Sequence, residues 1–177
     1  MKAVKNLSVC AGVTLIELLV TLSVASILLA VAVPGFRVFV QDSRLVTQIN
    51  NFSSATMLAK SEALKRSSST TICPSTNGTS CTASTVWSNG WLVFADSNRN
   101  GIVEAGEEII QVGPALTGGN TLSGGIRTRI TFDANGFSLV FNDTIYLCDS
   151  RGAAASKTLV INNQGRIRTE TGTGKCS

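Results

Sequence analysis

Histidine is absent from this chain of 177 residues, and tyrosine occurs only once. Without an imidazole there is no usual general base, no partner to activate a serine, and no histidine ligand for a metal. Glycine pairs occur, but no lysine follows them as in a phosphate-binding loop. No two cysteines have the C-x-x-C spacing typical of zinc sites. We therefore expect that the protein is not an enzyme and carries neither a catalytic residue nor a cofactor.

Charge is sparse and unevenly distributed. The chain has 15 basic and 11 acidic residues, a formal charge of +4, and removal of Lys2 and Lys5 would leave +2. Acidic residues concentrate in residues 96–108, whereas residues 150–177 carry five basic side chains against Glu170. The basic carboxyl-terminal end is therefore a local feature, and the net charge alone says little about partners.

One long segment is nearly free of charge. Residues 13–36 contain a single charged side chain, Glu17, and are long enough to span a bilayer as a helix. Lys2 and Lys5 indicate that the upstream end stays cytoplasmic. A cut after the small residue Gly12 would leave the apolar helix on the mature protein, unlike cleavage of a secretory signal. A plain membrane anchor is the alternative, but a carboxylate inside such a helix usually has a function.

The segment from Gly12 to Leu18 reads Gly-Val-Thr-Leu-Ile-Glu-Leu. It resembles the prepilin peptidase site of type IV pilins and type II secretion pseudopilins, with Val13 where the family often has Phe. The resemblance implies cleavage after Gly12, N-methylation of Val13, and pairing of Glu17 with the amino terminus of a neighbouring subunit. Pro34 matches a proline that commonly kinks this helix.

This resemblance also implies partners and a location. The expected partners are prepilin peptidase and other major and minor pilins. Before assembly the protein would cross the inner membrane once, with a periplasmic head, and after assembly it would lie in an extracellular pilus.

The helical period continues beyond the apolar segment. We expect one helix from about residue 13 to residue 65, because apolar residues recur there every three or four positions. The second half of the helix would pack this apolar stripe against a globular domain. The expected organisation is a leader at 1–12, an apolar helix at 13–36, an amphipathic continuation at 37–66 and a β-rich head at 67–177. The stripe consists of Leu45, Ile49, Phe52, Ala55, Ala59 and Ala63.

The rest of the chain has the pattern of short strands separated by Asn-Gly and Gly-Gly turns. An α+β fold follows, with the long amino-terminal helix packed on antiparallel sheets. Two motifs in this region resemble those of the FimT/GspH group of minor pilins and pseudopilins. They are Trp91-x-x-Phe94-x-Asp96-x-Asn98-x-Asn100-Gly101 and Ile130-x-Phe132-x-x-x-Gly136. The predicted strands are residues 70–73, 90–95, 108–112, 126–132, 137–141, 144–148, 157–161 and 165–169.

Four cysteines lie beyond the membrane segment, and the fifth, Cys10, lies in the expected leader. An even number outside the membrane fits an oxidising compartment. Of the three possible pairings, we favour Cys73–Cys81 and Cys148–Cys176, because each joins the nearest cysteines in sequence. A zinc site is the rival interpretation.

Residues 96–107 fit the spacing of a calcium-binding loop, with oxygen-bearing side chains at alternate positions and Gly101 at the turn. Their flanks read as strands rather than helices. Since Asp, Asn and Gly also suit the backbone of a hairpin loop, both interpretations stand.

The sequence Gly165-Arg166-Ile167-Arg168 is the main candidate for ligand binding. On a strand, Ile167 would face the core, and the two arginines would point together into solvent about 7 Å apart. That spacing approximates successive phosphates, which guanidinium groups bind bidentately. Lys175 would join them if a disulfide folds the tail back. Aromatic residues do not interleave with these cations, so base stacking is not indicated.

The Gly-Arg-x-Arg pattern resembles the DNA-binding motif of FimT-type minor pilins, which serve DNA uptake in natural transformation. The resemblance implies that the chain binds double-stranded DNA through backbone phosphates without sequence preference. The alternative is a GspH-like pseudopilin of a type II secretion system, or an assembly-priming pilin, in which the arginines are only solvated surface or a guard on a sheet edge. Arg127 and Arg129 form a similar pair on a predicted strand, but they are not part of the motif.

Overall fold

The computed structural model describes residues 12–176. Of the expected leader, only Gly12 falls within this range, and Cys10 lies outside it. The chain divides into two compact units, the first ending at Val40 and the second beginning at Gln41.

The helix α1 covers Leu15–Arg66 and has well-defined ends. At its start, the N–H of Glu17 donates to the Thr14 hydroxyl at 3.3 Å, which is half of a Thr-x-x-Glu capping box. At its end, Ser67 adopts a left-handed conformation with φ of 50°. The N–H of Ser68 donates to the carbonyl of Ala63 and that of Ser67 to Leu64, which is a Schellman motif with serine in place of glycine.

In the first unit, the apolar side chains of α1 are exposed. By length and composition this part of the helix is able to cross a membrane. Pro34 lies inside the helix.

In the second unit, ion pairs hold the last turn of α1 in place. Arg66 pairs with Glu62 at 2.7 Å and with Glu108 at 2.8 Å, and Lys65 pairs with Glu62 at 3.0 Å. Hydrogen bonds from Arg66 and then Lys65 hold the pKa of Glu62 below its ordinary value.

Within residues 12–176 the head contains two antiparallel sheets of four strands each, in the orders β3-β2-β1-β5 and β4-β6-β7-β8. A 3₁₀ turn at Ala153–Ala155 precedes β7. The strands are β1 Thr70–Pro74, β2 Trp91–Ala95, β3 Ile109–Gly113, β4 Thr121–Gly124, β5 Ile130–Phe132, β6 Asp143–Cys148, β7 Lys157–Ile161 and β8 Ile167–Thr171.

The predicted helical stripe is confirmed, because all six of its residues are buried in the core, each with at most 3% of its surface exposed. They pack with residues from both sheets in one cluster. Phe52 contacts the edges of Trp87 and Trp91, with ring centroids 5.3 and 5.2 Å apart. Trp87 comes from the loop between β1 and β2.

Two strand predictions were wrong, and one strand was missed. Residues 126–132 form a strand only at Ile130–Phe132, because the Asp143 carboxylate accepts the N–H groups of Ile126 and Arg127 and holds them in a turn. Residues 137–141 are a loop, in which Val140 is left-handed with φ of 60°. Strand β4 was missed, since its four residues lie between glycine-rich segments.

The structure contains the disulfides Cys73–Cys81 and Cys148–Cys176, which are the pairings expected from sequence proximity. The first closes a loop between β1 and β2. The second attaches the carboxyl-terminal tail to the end of β6.

Candidate nucleic-acid interface

The motif arginines lie at the turn between β7 and β8, and the turn is held by its own hydrogen bonds. The N–H of Gly165 donates to the carbonyl of Asn162 at 2.9 Å, and the N–H of Arg166 donates to the Asn162 side-chain oxygen at 2.9 Å. Gly165 has φ of 67°, which suits glycine far better than any residue with a Cβ.

Gly165 is also in close contact with a second loop. A Cβ on this residue would overlap the carbonyl oxygen of Gly136. The ammonium of Lys60 on α1 donates to the Gly165 carbonyl at 2.8 Å. Glycine is therefore favoured at this position of the motif for a structural reason, since it lets the turn lie directly against Gly136 and Lys60.

Arg166 and Arg168 are both exposed, whereas Ile167 between them is half-buried and packs against the core. The expected alternation is therefore present. Strand β8 is an edge strand, so its outer side is open. Arg168 is not free of contacts: its guanidinium pairs with Glu170 at 2.8 Å.

The tail brings Lys175 towards the same face. In the pairing of β7 with β8, Val160 lies opposite Arg168 and Thr158 lies opposite Glu170. Because alternate residues of a strand share one face, Thr158 lies on the same face of the sheet as Arg168. Thr173 in the tail donates to the Thr158 hydroxyl at 3.1 Å. Because the tail continues across this face to Cys176, the exposed Lys175 lies on the arginine side of the sheet.

Arg127 and Arg129 do not form a second exposed pair, and their placement on a strand was wrong. Both lie in the loop before β5 and are half-buried. The Arg129 guanidinium stacks over Phe141 at 5.1 Å from the ring centre and donates to the Arg99 carbonyl at 3.4 Å.

The calcium-like segment is the loop of the β2–β3 hairpin, and its oxygens bind the loop's own groups. One Asp96 carboxylate oxygen accepts from the Thr71 hydroxyl at 2.6 Å and the Gly101 N–H at 3.1 Å. Glu107 accepts the N–H groups of Ser97 and Glu104. Among residues 12–176, no three acidic, cysteine or histidine side chains are grouped to hold a metal ion. These hydrogen bonds hold the loop that joins β2 to β3.

At the amino-terminal end of the described chain, Gly12, Val13 and Glu17 are exposed. Glu17 lies in the first turn of α1, where a carboxylate is favoured by the helix dipole.

Comparisons with known proteins agree with this architecture. A family model described as type II transport protein GspH matches residues 48–165, and one described as the prokaryotic N-terminal methylation motif matches residues 7–33. No curated protein matches the sequence.

Two crystal forms of the type IV minor pilin FimU of Pseudomonas aeruginosa (strain PAO1) have a similar fold. The P21 form has a TM-score of 0.61 at 18% identity, and the match covers 76% of this chain and 93% of FimU. The P65 form has a TM-score of 0.57 at 19% identity and covers 72% and 94%.

Proposed function

Because this chain belongs to the GspH family, we propose that it is a minor type IV pilin that captures extracellular DNA at or near the pilus tip for uptake in natural transformation. The broader function follows from the family: the chain is a minor pilin or pseudopilin, with a membrane anchor and a head outside the membrane. Such proteins are structural components that assemble with other pilins.

The exposed pair Arg166 and Arg168 is the observation that supports DNA binding. Arg166 lies in the turn before the edge strand β8 and Arg168 is the second residue of that strand, and Gly165 and Lys60 fasten the turn to the rest of the head. Residues two apart on a strand are spaced about 7 Å, close to successive phosphates of a nucleic acid. Contacts of this kind are made to the phosphate backbone and not to the bases, so binding would not depend on DNA sequence and would weaken with increasing salt.

Processing and assembly are proposed to depend on the amino-terminal residues. Prepilin peptidase would cut the leader 1–12 after Gly12, and Val13 would then be N-methylated. Glu17 would pair with the amino terminus of a neighbouring subunit, while segment 13–36 lies in the membrane or the filament core. Mass spectrometry of the native protein tests this, since an intact first methionine, or trimming beyond residue 33, would contradict it.

The DNA hypothesis is tested on a head fragment beginning at Gln41, which is a compact unit with its own core. R166Q and R168Q should each weaken binding of duplex DNA, and the double variant should abolish it. The matched control is K65Q, which also removes one positive charge, at a side chain 72% exposed on the last turn of α1. Unchanged affinity of the double variant would remove DNA binding and leave the fold intact.

A pseudopilin of a type II secretion system, or an assembly-priming pilin without a ligand, is the second candidate. The description of the matching family as a type II transport protein favours the first of these. Deletion in the native host separates the candidates. Loss of protein secretion indicates a pseudopilin, loss of the pili themselves indicates an assembly-priming pilin, and loss of transformation with normal secretion and normal pili indicates a DNA-binding pilin.

A further inference from the structure

The loop between β5 and β6 exposes apolar side chains beside the basic motif. Phe137, Leu139 and Val140 are 41%, 58% and 66% exposed. Val140 also has φ of 60°, a conformation that is strained for a β-branched residue. Exposed apolar surface and backbone strain both lower stability, and strain of this kind clusters at functional sites.

Direct contacts join this loop to the turn that carries the arginines. Gly136, on one side of Phe137, is packed against Gly165. Ser138, on the other side, donates its N–H to the carbonyl of Asn163 at 2.9 Å. The exposed phenylalanine therefore lies between two residues that touch the motif turn.

Further guanidinium groups lie along the loop. Phe137, Leu139 and Phe141 line a small crevice together with Arg99. Arg129 stacks on Phe141. Asp133 also lines this crevice, and one of its oxygens accepts the N–H groups of Asn135 and Phe137. The loop thus combines apolar surface with positive charge from both the motif turn and the adjacent loops.

We propose that Phe137 stacks against an unpaired base and Leu139 makes an apolar contact beside it, while Arg166 and Arg168 hold the neighbouring phosphates, so that this end of the head prefers single-stranded DNA. This inference rests on the proposed function. A duplex presents its phosphates but hides its base faces, whereas a single strand offers both to a surface that combines cations with aromatic side chains. Stacking tolerates any base, so the preference concerns strandedness and not sequence.

The test compares the full-length protein in detergent with oligo-dT and with a duplex of equal length. Replacing Phe137 by serine should weaken oligo-dT binding about fivefold or more, which corresponds to loss of about one stacking contact, and replacing Leu139 by serine should weaken it less. Both variants should change duplex binding less than twofold. V86S is the matched control, since Val86 is apolar and 45% exposed on a different loop.

A second variant covers the case in which F137S does not fold. Trp87 and Trp91 are buried, so F137W would add an exposed tryptophan, and its fluorescence should be quenched by oligo-dT but not by the duplex.

If R166Q/R168Q abolishes binding but the loop variants bind both DNAs normally, the inference is wrong and the proposed function stands. If the loop variants bind DNA normally but are missing from filaments, the loop is a contact between pilins and the inference is also wrong. If no variant changes binding, both proposals fail.

Discussion

At the scale of single residues, Glu170 limits how strongly the motif would attract a phosphate. Its carboxylate pairs with Arg168 at 2.8 Å, but the two side chains are 35% and 51% exposed, and ion pairs in contact with solvent contribute little to stability. A phosphate bound by Arg168 would lie near this negative charge. In the proposed DNA interface, this contact would therefore oppose phosphate binding while adding little to the stability of the fold.

We predict that E170Q raises affinity for duplex DNA about two- to threefold at low salt. One like charge about 7 Å from a phosphate costs about 0.6 kcal/mol in water, and removing it recovers that energy. Fluorescence anisotropy of the head fragment measures the effect. E104Q is the control, because it makes the same change in net charge on the β2–β3 loop. An equal gain in both variants would mean that only net charge matters.

Gly165 gives a second prediction at this scale. Gly165 and Gly119 both have positive φ, at 67° and 71°, but a Cβ at Gly119 meets nothing within 4 Å. Alanine at either position has a backbone penalty of about 1–2 kcal/mol for its positive φ. G165A must also displace the Gly136 carbonyl, so it should lower the free energy of unfolding clearly more than G119A and weaken DNA binding. Urea unfolding measures both, and equal losses would contradict the close contact.

At the scale of elements, the two disulfides should contribute unequally. Cys148 and Cys176 are 28 residues apart in sequence, whereas Cys73 and Cys81 are 8 apart. On the chain-entropy model, opening them costs about 3.5 and about 2.5 kcal/mol respectively. C148S/C176S should therefore unfold at lower urea than C73S/C81S, and it should also bind DNA more weakly because Lys175 is released. The opposite order of stabilities would contradict this prediction.

Elements with a strong local pattern were predictable from the sequence. The stripe from Leu45 to Ala63 repeats with the helical period, and the alternation around Ile167 predicted that this residue faces the core and that Arg166 and Arg168 are exposed. The contact between Gly136 and Gly165 has no local signal, because it joins residues far apart in sequence. The position of Phe137 beside the motif was hidden for the same reason. Arg127 was misplaced because a distant carboxylate, that of Asp143, overrides the strand pattern.

At the scale of the whole molecule, the small net charge means that affinity must come from local contacts. Three cations on one face are few for a DNA-binding protein, so a single head should bind weakly. Several copies in one filament would raise the apparent affinity through avidity without any new contact.

The salt dependence of binding counts these contacts directly. Each phosphate contact on duplex DNA contributes about −0.9 to the slope of log K against log salt, so Arg166, Arg168 and Lys175 together predict a slope of about −2.7. Affinity should then fall about 40-fold between 50 and 200 mM salt. K175Q and the single variants R166Q and R168Q should each reduce the slope by about 0.9, whereas K65Q should leave it unchanged. If K65Q reduces the slope as much as K175Q does, DNA contacts a different face of the head, because counterions are released only where phosphates meet the protein.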